Sequence, residues 1–370
     1  MLADPVRMDA YAAALRQTIK PCMRVQDLGA GPAVFAMLAA RLGAVEVWAV
    51  DPDPILELGR MLAQANGCAD KIRFERKTSD QLTDAPRFDV IVSDLRGVLP
   101  QFNRHLTSIM DARDRLLAPN GTLIPQRDDI FVSVLASAAA VEDFSIWEKG
   151  WGGLDLRAGA DLAAQGGGKI RVKPETLVCE PKRWATLDYR TLTSPHCDGT
   201  LEWTVERDTP AHGLVAWFDT QLTGSVSFSN APSAPKALYG QNLFLWPKAV
   251  SLATGDRVVL RLQAQLMHDD YVWRWDTDVY SKDGAKKTTF RQAKLMDKPL
   301  SSADLKRLSG THKPQLGARG RAAAQALTLM QQAETSEQIA AQLQTRFPEL
   351  FKSPSDALDF VVRLSVQYSE

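Results

Sequence analysis

The sequence predicts an α/β + β chain: a mostly parallel sheet, then an antiparallel β-barrel or sandwich, then a small helical module. Three observations predict it. Residues 22–125 alternate short apolar runs with helical stretches, as right-handed βαβ units do. After Pro125 the runs become β-branched, aromatic and alternating, with turn signals between them. From residue 300 onward the apolar spacing turns helical again. The boundaries read as 1–125, 126–298 and 315–370.

Taking the elements in order, residues 1–20 form a helix after Pro5, with Met8, Tyr11, Leu15 and Ile19 on one face. Arg7 stands beside that stripe and reads by default as a solvated charge. Strands fall at 23–28, 45–50, 72–75, 88–93 and 121–125, and helices at 33–42, 54–66 and 103–117; Gly43 and Gly67 suit helix ends. Val25–Leu28 is a buried strand, Gly29-Ala30-Gly31 a tight turn, and Ala33 opens a helix. Glycines there let the backbone approach a ligand, and the free helix N–H groups face it. Asp51 closes the second apolar run twenty residues past Gly31, where a carboxylate takes a ribose hydroxyl pair. The stretch reads as a dinucleotide-type, Rossmann-like cradle or as a mere structural turn. Asp80 and Asp94 lie at carboxyl ends of the same sheet; Asp80 reads equally as an N-cap or surface turn residue.

Beyond Pro125, strands are expected over 129–135, 200–205, 213–219, 224–229, 258–266 and 271–279. Trp217, Trp246, Trp273 and Trp275 read as core of this part. A glycine-rich excursion at 155–180 interrupts the strands, either as a plain loop or as a contact with a partner subunit. Gly317–Gly320 reads as a basic linker. Thr335 caps a helix that ends at Phe347-Pro348, and Ser355–Val366 forms another, with Ala357, Leu358, Val361, Val362 and Leu364 toward a core, in a winged-helix-like unit.

Composition narrows the function classes. Lys plus Arg equals Asp plus Glu at 44 each, so no global charge draws the chain to nucleic acid. Cys22, Cys68, Cys179 and Cys197 are scattered without a Cys-x-x-Cys pair, which argues for reduced thiols and against a zinc site. No run of about twenty apolar residues suits a membrane span, and the first residues, with Asp4 and Asp9, do not read as a signal peptide. A cytoplasmic location without a bound metal is the expectation.

Several motifs share one order: Met1-Leu2-x-Asp4-x-x-Arg7-x-x-x-Tyr11, Asp27-Leu28-Gly29-Ala30-Gly31, Ala49-Val50-Asp51, Val92-Ser93-Asp94-Leu95-Arg96-Gly97 and Gly121-Thr122-Leu123-Ile124-Pro125. The series resembles the protein arginine methyltransferases (PRMTs), class I enzymes that use S-adenosylmethionine (SAM) and release S-adenosylhomocysteine. The resemblance covers about 290 residues and is strongest over the first 125. It implies a β-barrel after the SAM domain, Arg7 on the methionine carboxylate, and Asp27, Gly29, Gly31, Asp51 and Asp80 around the cofactor. It also implies a homodimer joined through 155–180. The family's paired-glutamate loop begins at Ser-Glu-x-x-Gly; here its first glutamate is Asp94 and its second aligns with Asn103. Near the usual Thr-His-Trp loop the chain reads Ala237-Leu238-Tyr239-Gly240-Gln241, without histidine.

Those departures touch the acceptor. Methyl transfer from a sulfonium is in-line displacement, and most of its catalysis is positioning. A guanidinium is a poor nucleophile, and two carboxylates localise its charge and align one nitrogen. Asparagine removes one of the two charges, at a cost of roughly 2–4 kcal/mol in the transition state. Asp94 and Asn103 are the expected catalytic pair, with arginine or another nitrogen nucleophile of a peptide or protein as acceptor. Residues 326–348 also resemble PqqD-like peptide-binding modules, which implies a role in modifying ribosomally made peptides. The alternatives are a catalytically inactive SAM-binding partner subunit and, against the balanced charge, a DNA-binding regulator.

Overall fold

The parallel sheet is built from apolar runs that each leave the sheet through a helix or loop and return. A computed structural model of the chain describes residues 1–294, 306–307 and 310–369. Helix α1 (Pro5–Thr18) leads into β1 (Arg24–Leu28), α2 (Val34–Arg41), β2 (Glu46–Val50), α3 (Leu56–Ala65), β3 (Ile72–Glu75) and β4 (Phe88–Ser93). Helix α4 (His105–Asp111) continues as a wider π turn over Ala112–Leu116 into β5 (Leu117–Ile124). The strands lie in the order β3-β2-β1-β4-β5, every neighbour parallel. The order switches between β1 and β4, and ligands of such sheets sit outside that switch point. Tyr11, Leu15 and Ile19 are buried, as the stripe on α1 predicts.

The antiparallel part follows without a break in the core. It comprises β6 (Arg127–Leu135), short helices α5 (Ile146–Lys149) and α6 (Ala160–Ala163), and β7 (Gly168–Ile170), β8 (Lys182–Asp188), β9 (Cys197–Thr204) and β10 (Thr209–Gln221). It continues with β11 (Ser227–Ser229), β12 (Gln241–Leu252), β13 (Arg257–Met267), β14 (Asp270–Tyr280) and β15 (Lys286–Ala293). These form a sheet of order β7-β12-β10-β6-β8, with β11 on β10, and a sheet of order β15-β14-β13-β9. Trp217, Trp246, Trp273 and Trp275 are all buried.

Strands β7, β8, β12 and β15 escape the sequence reading for physical reasons. Three are sheet edges, and β15 opens on Lys286-Lys287-Thr288-Thr289, too polar to read as a core strand. Strand β12 carries Pro247, which falls in a register shift against β10 between Ala211 and Gly213, where its missing N–H breaks no regular pair. The 155–180 excursion is partly helical and contains β7, while Trp151 and Leu154 just before it stand 71% and 62% exposed.

The chain divides into two compact units, Met1–Pro299 and Leu300–Glu370. The boundary expected at 298 lies outside the described residues. The second unit, among its described residues, holds the helices Ala318–Gln331, Ser336–Arg346 and Pro354–Tyr368 and no strand, so no wing of a winged helix stands among them. Its core includes Ala322, Ala326, Leu329, Ile339, Leu343, Phe360 and Val361. The stretch 317–320 is not a linker: Gly317 is the cap and Ala318–Gly320 the first turn of a helix that the good helix formers Ala318, Arg319 and Arg321 favour. Val362 is exposed rather than buried, because the apolar stripe on the last helix runs through Ala357, Phe360 and Val361.

Candidate active site

Beyond the carboxyl ends of β1, β2 and β4 opens a cavity of about 1070 Å³, lined in part by Gly29, Asp51, Asp94, Arg96, Asn103 and His105. A second cavity of about 290 Å³ shares Met1, Gly29 and Asp94 with it and adds Arg7, Gly31 and Phe35. Gly29 has φ +74°, and a Cβ there would clash with the Leu95 side chain. Gly31 has φ +51° and its N–H donates to Asp51 Oδ2 at 2.8 Å, so the turn and the second strand are tied at the cavity floor. Asp51 Oδ1 also accepts from the Asp53 N–H at 2.8 Å.

Arg7 is not the solvated charge its isolation suggests. It is 6% exposed, its guanidinium pairs with Asp94, and its guanidinium carbon lies 5.0 Å from the Phe35 ring centre and 5.4 Å from that of Tyr11. Asp94 in turn accepts from Arg96 Nε at 3.0 Å on Oδ1 and from the Tyr239 hydroxyl at 2.6 Å on Oδ2. Burial pushes the Asp94 carboxyl up, but the Arg96 and Arg7 guanidiniums and the Tyr239 hydroxyl outweigh it and hold it below the usual carboxylate range. Arg96 reaches on to Asp128 and Thr220 on the antiparallel strands and to the Tyr11 hydroxyl.

Two sequence expectations change. Asp27 does not face either cavity: it is buried, and its Oδ2 accepts from the Ala36 N–H at 2.9 Å, anchoring the first turn of α2. Burial raises its carboxyl to about 7, against the opposing pull of the Ala36 N–H. Asp80 is exposed, bonded by Thr78 Oγ1 at 2.5 Å and Arg104 at 3.5 Å, while Lys77, Thr78 and Ser79 line the large cavity instead. The surface-turn reading of Asp80 fits its exposed place in the 3₁₀ turn Ser79–Gln81. Asn103 lines the cavity with a left-handed backbone, φ +44°.

Tyr239, Asp128 and His105 were not singled out in the sequence. Asp128 shares the parity of Ile130, Val132 and Val134 on β6, so alternation from Arg127 would have placed it inward. His105 lines the large cavity, with Nδ1 at 2.8 Å from the Pro100 carbonyl and Nε2 buried without a partner. Burial holds its imidazole down at about 4. Tyr239 stands in the loop that lacks the family histidine.

Comparison with known proteins decides the class. The profile of the arginine methyltransferase oligomerization subdomain matches residues 126–280, and that of the ribosomal protein L11 methyltransferase matches residues 12–146. The chain is a PRMT-like, SAM-dependent methyltransferase. It is 25% identical to protein arginine N-methyltransferase 6 of Xenopus tropicalis, over 68% of this chain and 78% of that one. Against protein arginine N-methyltransferase 1 of Saccharomyces cerevisiae it is 27% identical, over 70% and 77%. The fold of this methyltransferase matches Arabidopsis thaliana protein arginine methyltransferase 10 with a TM-score of 0.70 at 22% identity, over 79% of this chain and 95% of that one. A Trypanosoma brucei PRMT1 enzyme–prozyme complex with AdoHcy matches with a TM-score of 0.70 at 20% identity, over 79% and 96%. Among the described residues no helix is long and apolar enough to cross a membrane, and no cluster of His, Cys, Asp or Glu suits a metal.

Proposed function

We propose that this methyltransferase transfers the SAM methyl group to a side-chain nitrogen of a peptide or protein. The observation that carries the reading is the pair of adjoining cavities whose shared wall is Gly29 and Asp94. Gly29, Gly31 and Asp51 would hold the nucleoside, and Arg7 the methionine carboxylate. The residues fit such a group: Gly31 has open space where a Cβ would stand, buried Arg7 lines the smaller cavity and half-buried Asp51 lines the larger. SAM supplies an electrophilic methyl. The acceptor nitrogen's lone pair forms the N–C bond, the C–S pair returns to sulfur, and the proton left on nitrogen departs to water. Asp94 and Asn103 line the larger cavity, and positioning the acceptor would be their contribution.

Calorimetry with SAM and S-adenosylhomocysteine tests this: micromolar-range binding is expected, and its absence sinks the reading. The named relatives act on arginine, which supports a protein nitrogen as acceptor. The oligomerization-subdomain match supports a homodimer, with a dimer mass in light scattering as the expected result. The likeness of the last helices to PqqD-like modules supports a peptide substrate; a short precursor-peptide gene adjoining this one is the expected finding. An inactive partner subunit is the second reading, favoured by the closure of Asp94 among protein donors. Turnover lost on Asp94→Ala rules that second reading out.

A further inference from the structure

Carboxylates ring the larger cavity, and most of them are already engaged by the chain itself. Asp51, Asp53, Asp94, Asp269 and Asp270 line it. Asp94 Oδ1 accepts from Arg96 Nε at 3.0 Å, and its Oδ2 accepts from Arg7 and from the Tyr239 hydroxyl. Asp51 accepts from the Gly31 and Asp53 N–H groups, and Asp53 from the Ile55 N–H, each at 2.8 Å. Asp270 accepts from the Tyr271 N–H at 2.8 Å and from Lys294 Nζ at 3.3 Å. Asp269 differs. Among the described residues its carboxylate accepts no hydrogen bond; it stands 83% exposed, with Arg104 Nε 3.9 Å away.

A rigid element holds Asp269 in place. Strands β13 and β14 pair without a break from Arg257 and Tyr280 to Met267 and Asp270, which leaves His268 and Asp269 as a two-residue turn at the tip. That tip meets the chain where the second carboxylate of the paired-glutamate loop is missing, since Arg104 directly follows Asn103. The Arg104 guanidinium lies between Asp269 at 3.9 Å and Asp80 at 3.5 Å. A guanidinium of the chain therefore already rests against Asp269 at the cavity wall, too far for a hydrogen bond and with Asp80 as a second partner. An incoming guanidinium that donates directly to Asp269 makes a charge-assisted bond that Arg104 does not.

Resting on the methyl-transfer reading, we infer that Asp269 is a specificity-determining residue. It binds the guanidinium of an arginine acceptor in place of the glutamate that Asn103 replaces. Arg104 gives way and keeps Asp80, and the negative charge absent at Asn103 is restored to the cavity from the antiparallel hairpin.

The test is calorimetric binding of N-acetyl-arginine N-methylamide and of its citrulline counterpart, an uncharged mimic of the same shape, to the full chain saturated with S-adenosylhomocysteine. The wild type binds the arginine probe at least about tenfold more tightly. Asp269→Asn, a change at an exposed turn tip, lowers that preference by about three- to tenfold, and Asp269→Glu keeps most of it. Asp270→Asn removes the same charge one residue away, from a carboxylate committed to Lys294 and the Tyr271 N–H, and lowers the preference by less than about twofold. An Asp269→Asn chain that still binds S-adenosylhomocysteine and keeps the full preference overturns the inference. An equal loss in Asp270→Asn overturns it too, because the effect then belongs to the overall charge of the cavity wall. So does a wild type that binds S-adenosylhomocysteine and does not prefer the arginine probe. A wild type that fails to bind S-adenosylhomocysteine fails the methyl-transfer reading itself, which the same calorimeter reports separately.

Discussion

Arg96 and Asp128 illustrate how much a buried charge depends on its partner. Both side chains are fully buried, and Asp128 is held by Arg96 at 3.0 Å and by the Tyr189 hydroxyl at 2.6 Å. Asp128→Ala leaves Arg96 short of a carboxylate and is expected to cost about 3–5 kcal/mol in denaturant unfolding. Asp128→Asn keeps the Tyr189 bond and is expected to cost less. Asp27 gives a different signature. Its folded carboxyl, raised by burial to about 7, binds a proton that the unfolded chain releases near the ordinary carboxylate value. Its contribution to stability is therefore present at low pH and lost as pH rises through about 7. Asp27→Asn keeps an oxygen for the Ala36 N–H, so its melting temperature is expected to fall less than the wild type's between pH 5.5 and pH 8.5, values chosen about 1.5 units either side of neutrality. At this scale the sequence singled out Arg7, Gly29, Gly31, Asp51 and Asp94, because their spacing repeats a known series, and all five line the two cavities. It hid Tyr239 and Asp128, because their roles arise from strands far away in the chain. Asp27 and Asp80 line neither cavity for a related reason: a carboxylate at a strand end can point into a helix or out to water, and only the local turn decides.

Among the elements, the glycine loop and α3 are fitted to each other. Ala33 sits at the cap of α2 with φ +56°, a conformation that costs a residue with a Cβ about 1–2 kcal/mol. A Cβ on Gly59 in α3 would lie 2.9 Å from the Ala33 Cβ and 3.0 Å from the Pro32 carbonyl carbon. Helix propensity favours Gly59→Ala by roughly 0.5–1 kcal/mol, but overpacking costs about 1–3 kcal/mol. The variant is therefore expected to melt lower, and a higher melting temperature would show that the loop yields freely. In the second unit, the reciprocal bonds of Thr335 and Gln338 at 3.3 and 2.9 Å close the start of the middle helix. Thr335→Ala is expected to destabilise that unit by about 0.5–2 kcal/mol in a thermal melt. Helices and parallel strands were legible because their periods are strong and their ends are marked by Gly43, Gly67 and Thr335. Edge strands such as β15 were not, since half-exposed, lysine-rich runs carry no clear period.

For the whole molecule, the residues around the cofactor site all lie in Met1–Pro299, and the last three helices have a core of their own. S-adenosylhomocysteine at a hundred times its dissociation constant is expected to raise the stability of the larger unit by about 2.7 kcal/mol, read as a shift in its unfolding transition. The hydrogen bonds inside that unit carry a last consequence. Leu238 N–H donates to Asp4 at 2.6 Å, Gln17 accepts from Ser225 at 2.9 Å, and Tyr239, Asp128 and Thr220 complete the partners of Asp94 and Arg96. A fragment ending at Pro125 therefore loses half the hydrogen bonds that hold Asp94 and Arg96. The cradle and the antiparallel strands are inseparable as folding material, so a minimal recombinant version of this enzyme must keep the strands even if only the cradle is wanted.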